Sequence, residues 1–206
     1  MARAKAKNQP KRQTRKKLRI AIIGAGGRAL MAHYPSLRDI PEAELVAVSE
    51  LDEQRLHKVC DEYKIKGRYS DYRQMLEREK PDAVYAIMPP HHLYDIAATV
   101  IEMGCNLFIE KPPAVTTEQT RQLALLAGKH KVLTGVTFQR RFAPLIRHGL
   151  ALCNHRGPVH TAHASFYKNT AGGGPYYRGA MDILTCDGIH AVDTLRYLCS
   201  GEVESV

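Results

Sequence analysis

A doubly wound α/β fold built on a parallel sheet is predicted by three observations. Short β-branched runs alternate with amphipathic helical stretches from Leu18 to about Phe138, the pattern of successive βαβ units. The first run ends at a glycine cluster, Gly24-Ala25-Gly26-Gly27-Arg28-Ala29. The chemically distinctive residues fall at strand ends, and open α/β sheets bind ligands beyond the carboxyl ends of their strands.

Taken in order, Leu18–Ile23 is an apolar run stopping at glycine, as a buried parallel strand does. A helix is expected to start at the glycines. Glu44–Glu50 reads as the second strand, and Asp52 as the N-cap of a helix presenting Leu56, Val59, Cys60 and Tyr63 at helical spacing. A short helix near Tyr72–Glu79 leads to a third strand at Ala83–Met88, stopped by Pro89-Pro90. The next helix carries Ile96, Ala97, Val100 and Ile101 and ends at Gly104, a natural C′ residue. Leu107–Ile109 forms the fourth strand and delivers Glu110-Lys111. Thr116-Thr117-Glu118-Gln119 reads as a capping box for a helix running to about Gly128, before a fifth strand at Val132–Val136.

The character changes after Arg141. Phe142–Asn154 looks helical, Val159–Tyr167 alternates like a half-exposed strand, and Ala171-Gly172-Gly173-Gly174-Pro175 reads as a mobile loop or a close approach to ligand. Ile189, Val192, Leu195 and Leu198 form a helical stripe, and another strand is expected to begin at Val203. The expected organisation is a basic tail over 1–17, a parallel-sheet domain over 18–140, and an incomplete α+β domain over 141–206.

The chain carries 30 Lys+Arg against 21 Asp+Glu, a net charge of +9. Nine of those bases and no acid lie in residues 1–19, leaving 21 bases against 21 acids elsewhere. The basic balance therefore describes a tail, expected to be disordered, and any nucleic-acid contact is confined to it. No apolar run is long enough for a secretory signal or a membrane span. Five scattered cysteines without a CxxC pair suit a reduced cytoplasmic interior. His160 and His163 point to opposite faces of a strand and make a poor metal pair; no metal is expected.

Two motifs carry chemistry. In Gly24-x-Gly26-x-x-Ala29 the first glycine permits a tight turn and the second lets a phosphate approach the backbone. The small Ala29 allows close packing, and the helix N-terminus attracts a pyrophosphate. Glu50 ends the second strand slightly farther on than the usual ~20 residues. A carboxylate there accepts from ribose hydroxyls and repels a 2′-phosphate, which favours NAD over NADP; the bland reading is a solvated turn. Lys111 would ordinarily be a surface lysine. Two following prolines stiffen the chain around it, and a cis peptide fits there. A lysine in a partly dry pocket beside a positively charged ring gives up its proton more readily, and so can exchange one with a substrate hydroxyl. His190 can share that proton and Asp187 can orient it. The alternative makes Asp187 a helix N-cap, with His190 and Asp193 on an ordinary polar face. The glycine turn and the lysine together point to a redox enzyme.

These residues resemble the Gfo/Idh/MocA oxidoreductase family (glucose–fructose oxidoreductase, inositol 2-dehydrogenase and relatives). The matching pieces are Ile22–Arg28, Glu50, Met88-Pro89-Pro90, Gly104–Pro113, Gln139-Arg140-Arg141-Phe142 and Gly188–Asp193. The resemblance implies a Rossmann domain followed by an open, largely antiparallel sheet domain that often forms a homo-oligomer interface. It implies NAD(P)-dependent oxidation or reduction at a CH–OH carbon of a sugar, cyclitol or related polyol. Cofactor contacts are then expected from Gly24, Ala25, Gly26, Gly27, Arg28, Ala29, Glu50, Met88, Pro89, Glu110 and Lys111. The catalytic roles fall on Lys111 and His190, with Asp187. Cys186 stands where the family usually has an aspartate, and Pro90 where asparagine is frequent. Some relatives are regulators, so a non-catalytic dinucleotide or sugar sensor is the alternative.

Overall fold

In the computed structural model, residues 16–168, 179 and 181–205 are described. Most of the basic tail and the 171–175 glycine segment lie outside the described residues.

Six parallel strands, β1 (Leu18–Ile23), β2 (Ala43–Ser49), β3 (Gly67–Tyr69), β4 (Ala83–Ala86), β5 (Asn106–Ile109) and β6 (Thr134–Val136), form one sheet in the order β3-β2-β1-β4-β5-β6. The helices between them are α1 (Tyr34–Arg38), which a π-helical turn at Ala29–His33 precedes, α2 (Glu53–Tyr63), α3 (Tyr72–Glu79), α4 (Pro90–Glu102) and α5 (Thr117–His130). The order reverses between β1 and β4, the switch point where such sheets hold dinucleotides.

Period-two alternation along β1 builds two cores. Ile20 and Ile22 point to the face with Val48, Tyr34, Leu37, Leu56 and Val59. Ala21 and Ile23 point to the other, with Val84, Leu93, Val100, Leu107 and Leu123. Ile22 is fully buried, which stabilises the fold by roughly 2 kcal/mol on its own. The expected caps are present. Asp52 accepts from the Arg55 amide at 3.0 Å. Thr116 and Gln119 cap each other reciprocally. Gly104 takes φ +75°.

Three expectations from the sequence are corrected. The sequence reading lacks β3, a three-residue edge strand whose Gly67-Arg68-Tyr69 has no apolar run to mark it. Val159–Tyr167 is not a strand: its side chains alternate between half-buried and exposed, yet no strand among the described residues pairs with it. Nor does a strand form at Val203–Ser205. A ladder needs a partner for its backbone groups, and alternation alone does not supply one. Helix α7 (Ile189–Cys199) forms where the apolar stripe predicts it and buries His190 and Asp193, with Ile189, Leu195 and Leu198 half-buried. Before it come a 3₁₀ turn at Gln139–Phe142, helix α6 (Pro144–Asn154) and a π-helical turn at Leu184–Gly188. No helix among the described residues is long and apolar enough to cross a membrane.

Candidate functional site

The glycine turn is shaped by steric necessity. Gly24 has φ +102°, and a Cβ there would stand 2.3 Å from the Ile87 carbonyl oxygen and 2.9 Å from the Met88 sulfur. Only glycine fits. Ala25 is buried, and its amide donates to Glu50 Oε2 at 2.8 Å. The other Glu50 oxygen accepts from the Asp52 amide at 3.0 Å. At Gly26 and Gly27 a Cβ would meet nothing within 4 Å. The backbone there lies bare at the start of a helix, where amide groups attract an anion. Ala29 is buried against the sheet, as its small side chain predicts.

A cavity of about 740 Å³ opens in front of this turn, within the range of small-molecule sites. Gly26, Gly27, Arg28 and Ala29 form one wall and Met88 and Pro89 another; Glu110, Lys111, Asp187 and His190 complete the cofactor and catalytic residues that the sequence predicts there. Gly24 and Ala25 stand behind the wall. Glu50 borders a neighbouring cavity of about 390 Å³ with Leu56, His57 and Arg68. Bare glycine backbone, a helix start and an acid at the end of β2 fit a dinucleotide.

Lys111 follows β5 across a cis peptide to Pro112. Its Nζ donates to the Cys186 carbonyl oxygen at 2.7 Å and to Asp187 Oδ1 at 3.2 Å. Lys168 also pairs with Asp187. Asp187 is therefore not the cap of α7: the residue in that place is Gly188, without a side-chain cap. Cys186 is buried, which pushes its thiol upward in pKa, and it serves Lys111 through its backbone.

His190 is 5 % exposed, and its Nδ1 has no hydrogen-bond partner among the described residues. Burial, followed by the charges of Lys111 and Arg140, holds its pKa below the ordinary 6.5, so the ring is neutral at neutral pH. Phe138 meets it edge-on. Asp193, one turn along, forms a forked pair with Arg141, whose guanidinium also lies over Tyr197 at 5.6 Å.

Glu110 does more structural work than the sequence suggests. Its Oε1 receives His33 Nε2 at 2.8 Å and Arg28 Nε at 3.1 Å, and its Oε2 receives the Lys111 amide at 3.1 Å. Burial alone would raise its pKa, but the bonds from His33, Arg28 and Thr137 outweigh that and hold it at about 2. This carboxylate ties the glycine turn to the lysine strand. His33 is hidden in the sequence because a histidine inside a helical run carries no mark of its partner. Arg140 and Phe166, which also line the cavity, could have been found by their position: Arg140 lies just beyond the carboxyl end of β6.

Residues 18–138 match the Gfo/Idh/MocA family, described as an oxidoreductase family with an NAD-binding Rossmann fold. The chain is 34% identical over 126 residues to D-glucoside 3-dehydrogenase of Escherichia coli, covering 61% of this chain and 36% of that one. It is 25% identical over 191 residues to scyllo-inositol 2-dehydrogenase (NAD(+)) of Bacillus subtilis, covering 92% and 56%. Among solved structures it superposes on GenD2 from gentamicin A biosynthesis, in complex with NAD, with TM-score 0.76 and 24% identity, covering 89% and 54%; another matched structure holds NADP. The chain thus spans between about a third and a little over half of the length of these relatives.

Proposed function

The chain belongs to the Gfo/Idh/MocA oxidoreductase family, and from that premise we propose that the whole protein oxidises or reduces a CH–OH carbon of a sugar, cyclitol or related polyol with NAD(P). The observation that carries this reading is the convergence of Lys111, Asp187 and His190 on one cavity with the bare backbone of Gly26 and Gly27. When bound, the nicotinamide supplies a hydride acceptor or donor, and the protein supplies placement and proton transfer. Gly26–Ala29 would hold the pyrophosphate, and Met88 and Pro89 the nicotinamide side.

In the oxidative direction the substrate hydroxyl gives its proton to the neutral amine form of Lys111 Nζ, which becomes the ammonium. Asp187 and the Cys186 carbonyl aim that nitrogen, at 3.2 and 2.7 Å. His190, neutral and lining the same cavity, bonds the same hydroxyl and shares the proton. Replacing Lys111 with alanine should lower turnover of the full-length protein by ~10²-fold or more, the scale of a general acid–base contribution, while dinucleotide binding persists. Unchanged turnover would remove Lys111 from the reaction. Dinucleotide binding without turnover on any sugar would favour a sensor.

For the cofactor, we take NAD over NADP, because Glu50 closes the end of β2 and would meet a 2′-phosphate with like charge. Titration should show NADH binding more tightly than NADPH; the reverse order would refute the choice. Five free cysteines support a reducing, cytoplasmic setting.

A further inference from the structure

Two lysines reach one carboxylate in the cavity. Asp187, on the π-helical turn before α7, presents Oδ1 to Lys111 Nζ at 3.2 Å and Oδ2 to Lys168, which follows Val159–Tyr167. All three residues line the cavity, with His190 beside them. Lys168 carries no mark in the sequence, since a lysine at the end of an alternating run reads as a solvated charge.

The two ammonium groups are not equivalent. The Lys111 side chain is 14 % exposed and that of Lys168 40 %, against 15 % for Asp187. Water solvates the Lys168 charge, whereas a dry site disfavours a charged ammonium. An ionised carboxylate that is largely buried needs a cation beside it. Lys111 alone would face a conflict, because its amine form, which the reaction needs, would deprive Asp187 of its counter-charge. With Lys168 on the other oxygen, Lys111 can stand as the neutral amine while Asp187 keeps an ion pair.

Other charged and titratable groups face this trio from every side. Glu110, next to Lys111, is ionised and bonded to Arg28 and His33. Arg140, from the turn after β6, and Lys111 both act on His190, which is neutral. On the turn itself, burial keeps the Cys186 thiol protonated, and Asp182 bonds Thr185. Lys168 bonds Asp187 directly, so its charge acts on the same carboxylate that aims Lys111.

We propose that Lys168 is a positioning residue for the proton transfer: it holds Asp187 ionised and in place, and so lets Lys111 take the substrate proton as a neutral amine. Lys111 gains one proton from the hydroxyl and later passes it to solvent; Lys168 and Asp187 exchange none. The inference rests on the oxidoreductase reading above and adds to it a second lysine that stays charged throughout.

The test needs no sugar, because only the neutral amine of a lysine reacts with acetic anhydride. Trace acetylation of the 206-residue chain over a neutral-to-alkaline pH series, read by mass spectrometry, gives the pH at which each lysine becomes reactive. Lys111 should become reactive at a lower pH than Lys168. Lys168→Met should move the Lys111 midpoint upward by about half a pH unit or more, the scale of removing a nearby like charge. Lys168→Arg, which keeps the charge, should leave the midpoint in place, and Asp187→Asn should move both lysines downward. Lys168 is exposed, and equal melting temperatures confirm that its variants fold. A Lys111 midpoint that Lys168→Met leaves unchanged or lowers, or Lys168 reacting at the lower pH, overturns the proposal. NADH titration of the same proteins keeps the two readings apart. NADH binding without the shift strikes the role of Lys168 alone; failure of NADH to bind overturns the oxidoreductase reading and that role with it.

Discussion

From Leu18 to Val136 the side chains that face inward are mostly apolar and sealed from water, with Ala21, Ile22, Val48, Val84, Leu93 and Val100 at 0–1 % exposure. From Gln139 onward the balance shifts. Helix α6 buries none of its residues and α7 buries His190 and Asp193, while Phe142 and Leu145 are largely exposed. The sheet region is therefore held by apolar burial, which is strong and indifferent to orientation. The later segments reach the cavity by directional polar contacts from Lys111 to Cys186 and Asp187, and α7 is fastened to the turn after β6 by the pair of Arg141 and Asp193. Directional contacts fix where a functional group sits, at a cost in local stability. On the proposed reading, the cofactor wall and Lys111 belong to the part held by apolar burial, and Asp187 and His190 to the part held by polar contacts.

The largest expected effect falls on the buried His33–Glu110–Arg28 cluster of the sheet region. Glu110 has a folded pKa of about 2 against an ordinary 4.5. A lowered carboxylate pKa means that the ionised form stabilises the fold, fully above pH 4.5, and that this contribution is lost as pH falls from 4.5 toward 2. A shift of this size corresponds to on the order of 3 kcal/mol. Glu110→Gln should lower the melting temperature at pH 7 and flatten stability across that acid window. A variant as stable as the unmodified protein at pH 7 would show that the His33–Glu110–Arg28 cluster does not bind the glycine turn to the lysine strand.

A smaller effect is expected from the polar attachment of α7. Asp193→Asn weakens the forked pair with Arg141 and should cost about 1–2 kcal/mol, the scale of a hydrogen bond to a charged group. The loss should be local. Amides of Ile189–Cys199 should exchange faster, with Leu18–Val136 unchanged. If the sheet loosened equally, the two regions would be one cooperative unit and the comparison would fail.

How far the sequence could be read follows the same divide. Apolar periodicity located five of the six strands, because burial on both faces leaves a visible run in β1, β2, β4 and β5. It passed over Gly67–Tyr69, where three edge residues carry no such run. Beyond Arg141 periodicity misled at Val159–Tyr167, which alternates without a strand beside it, while the apolar stripe of Ile189–Leu198 located α7. Lys111, Asp187 and His190 were legible as chemistry, and the structure brings them to one cavity. The use of both Glu110 oxygens within the chain was not legible, because His33 and Arg28 reach it from a distant helix. Polar partnerships between distant segments leave no local pattern.

Amide exchange of the 206-residue chain with and without saturating NADH tests the central claim most directly. If a dinucleotide lies across the glycine turn and reaches the lysine, protection should rise at Gly26–Ala29 and Met88. It should also rise at Lys111 and across Cys186–His190, where the softer segment closes on the cavity. No change at Gly26–Ala29, or protection confined to surfaces away from the cavity, would contradict the account.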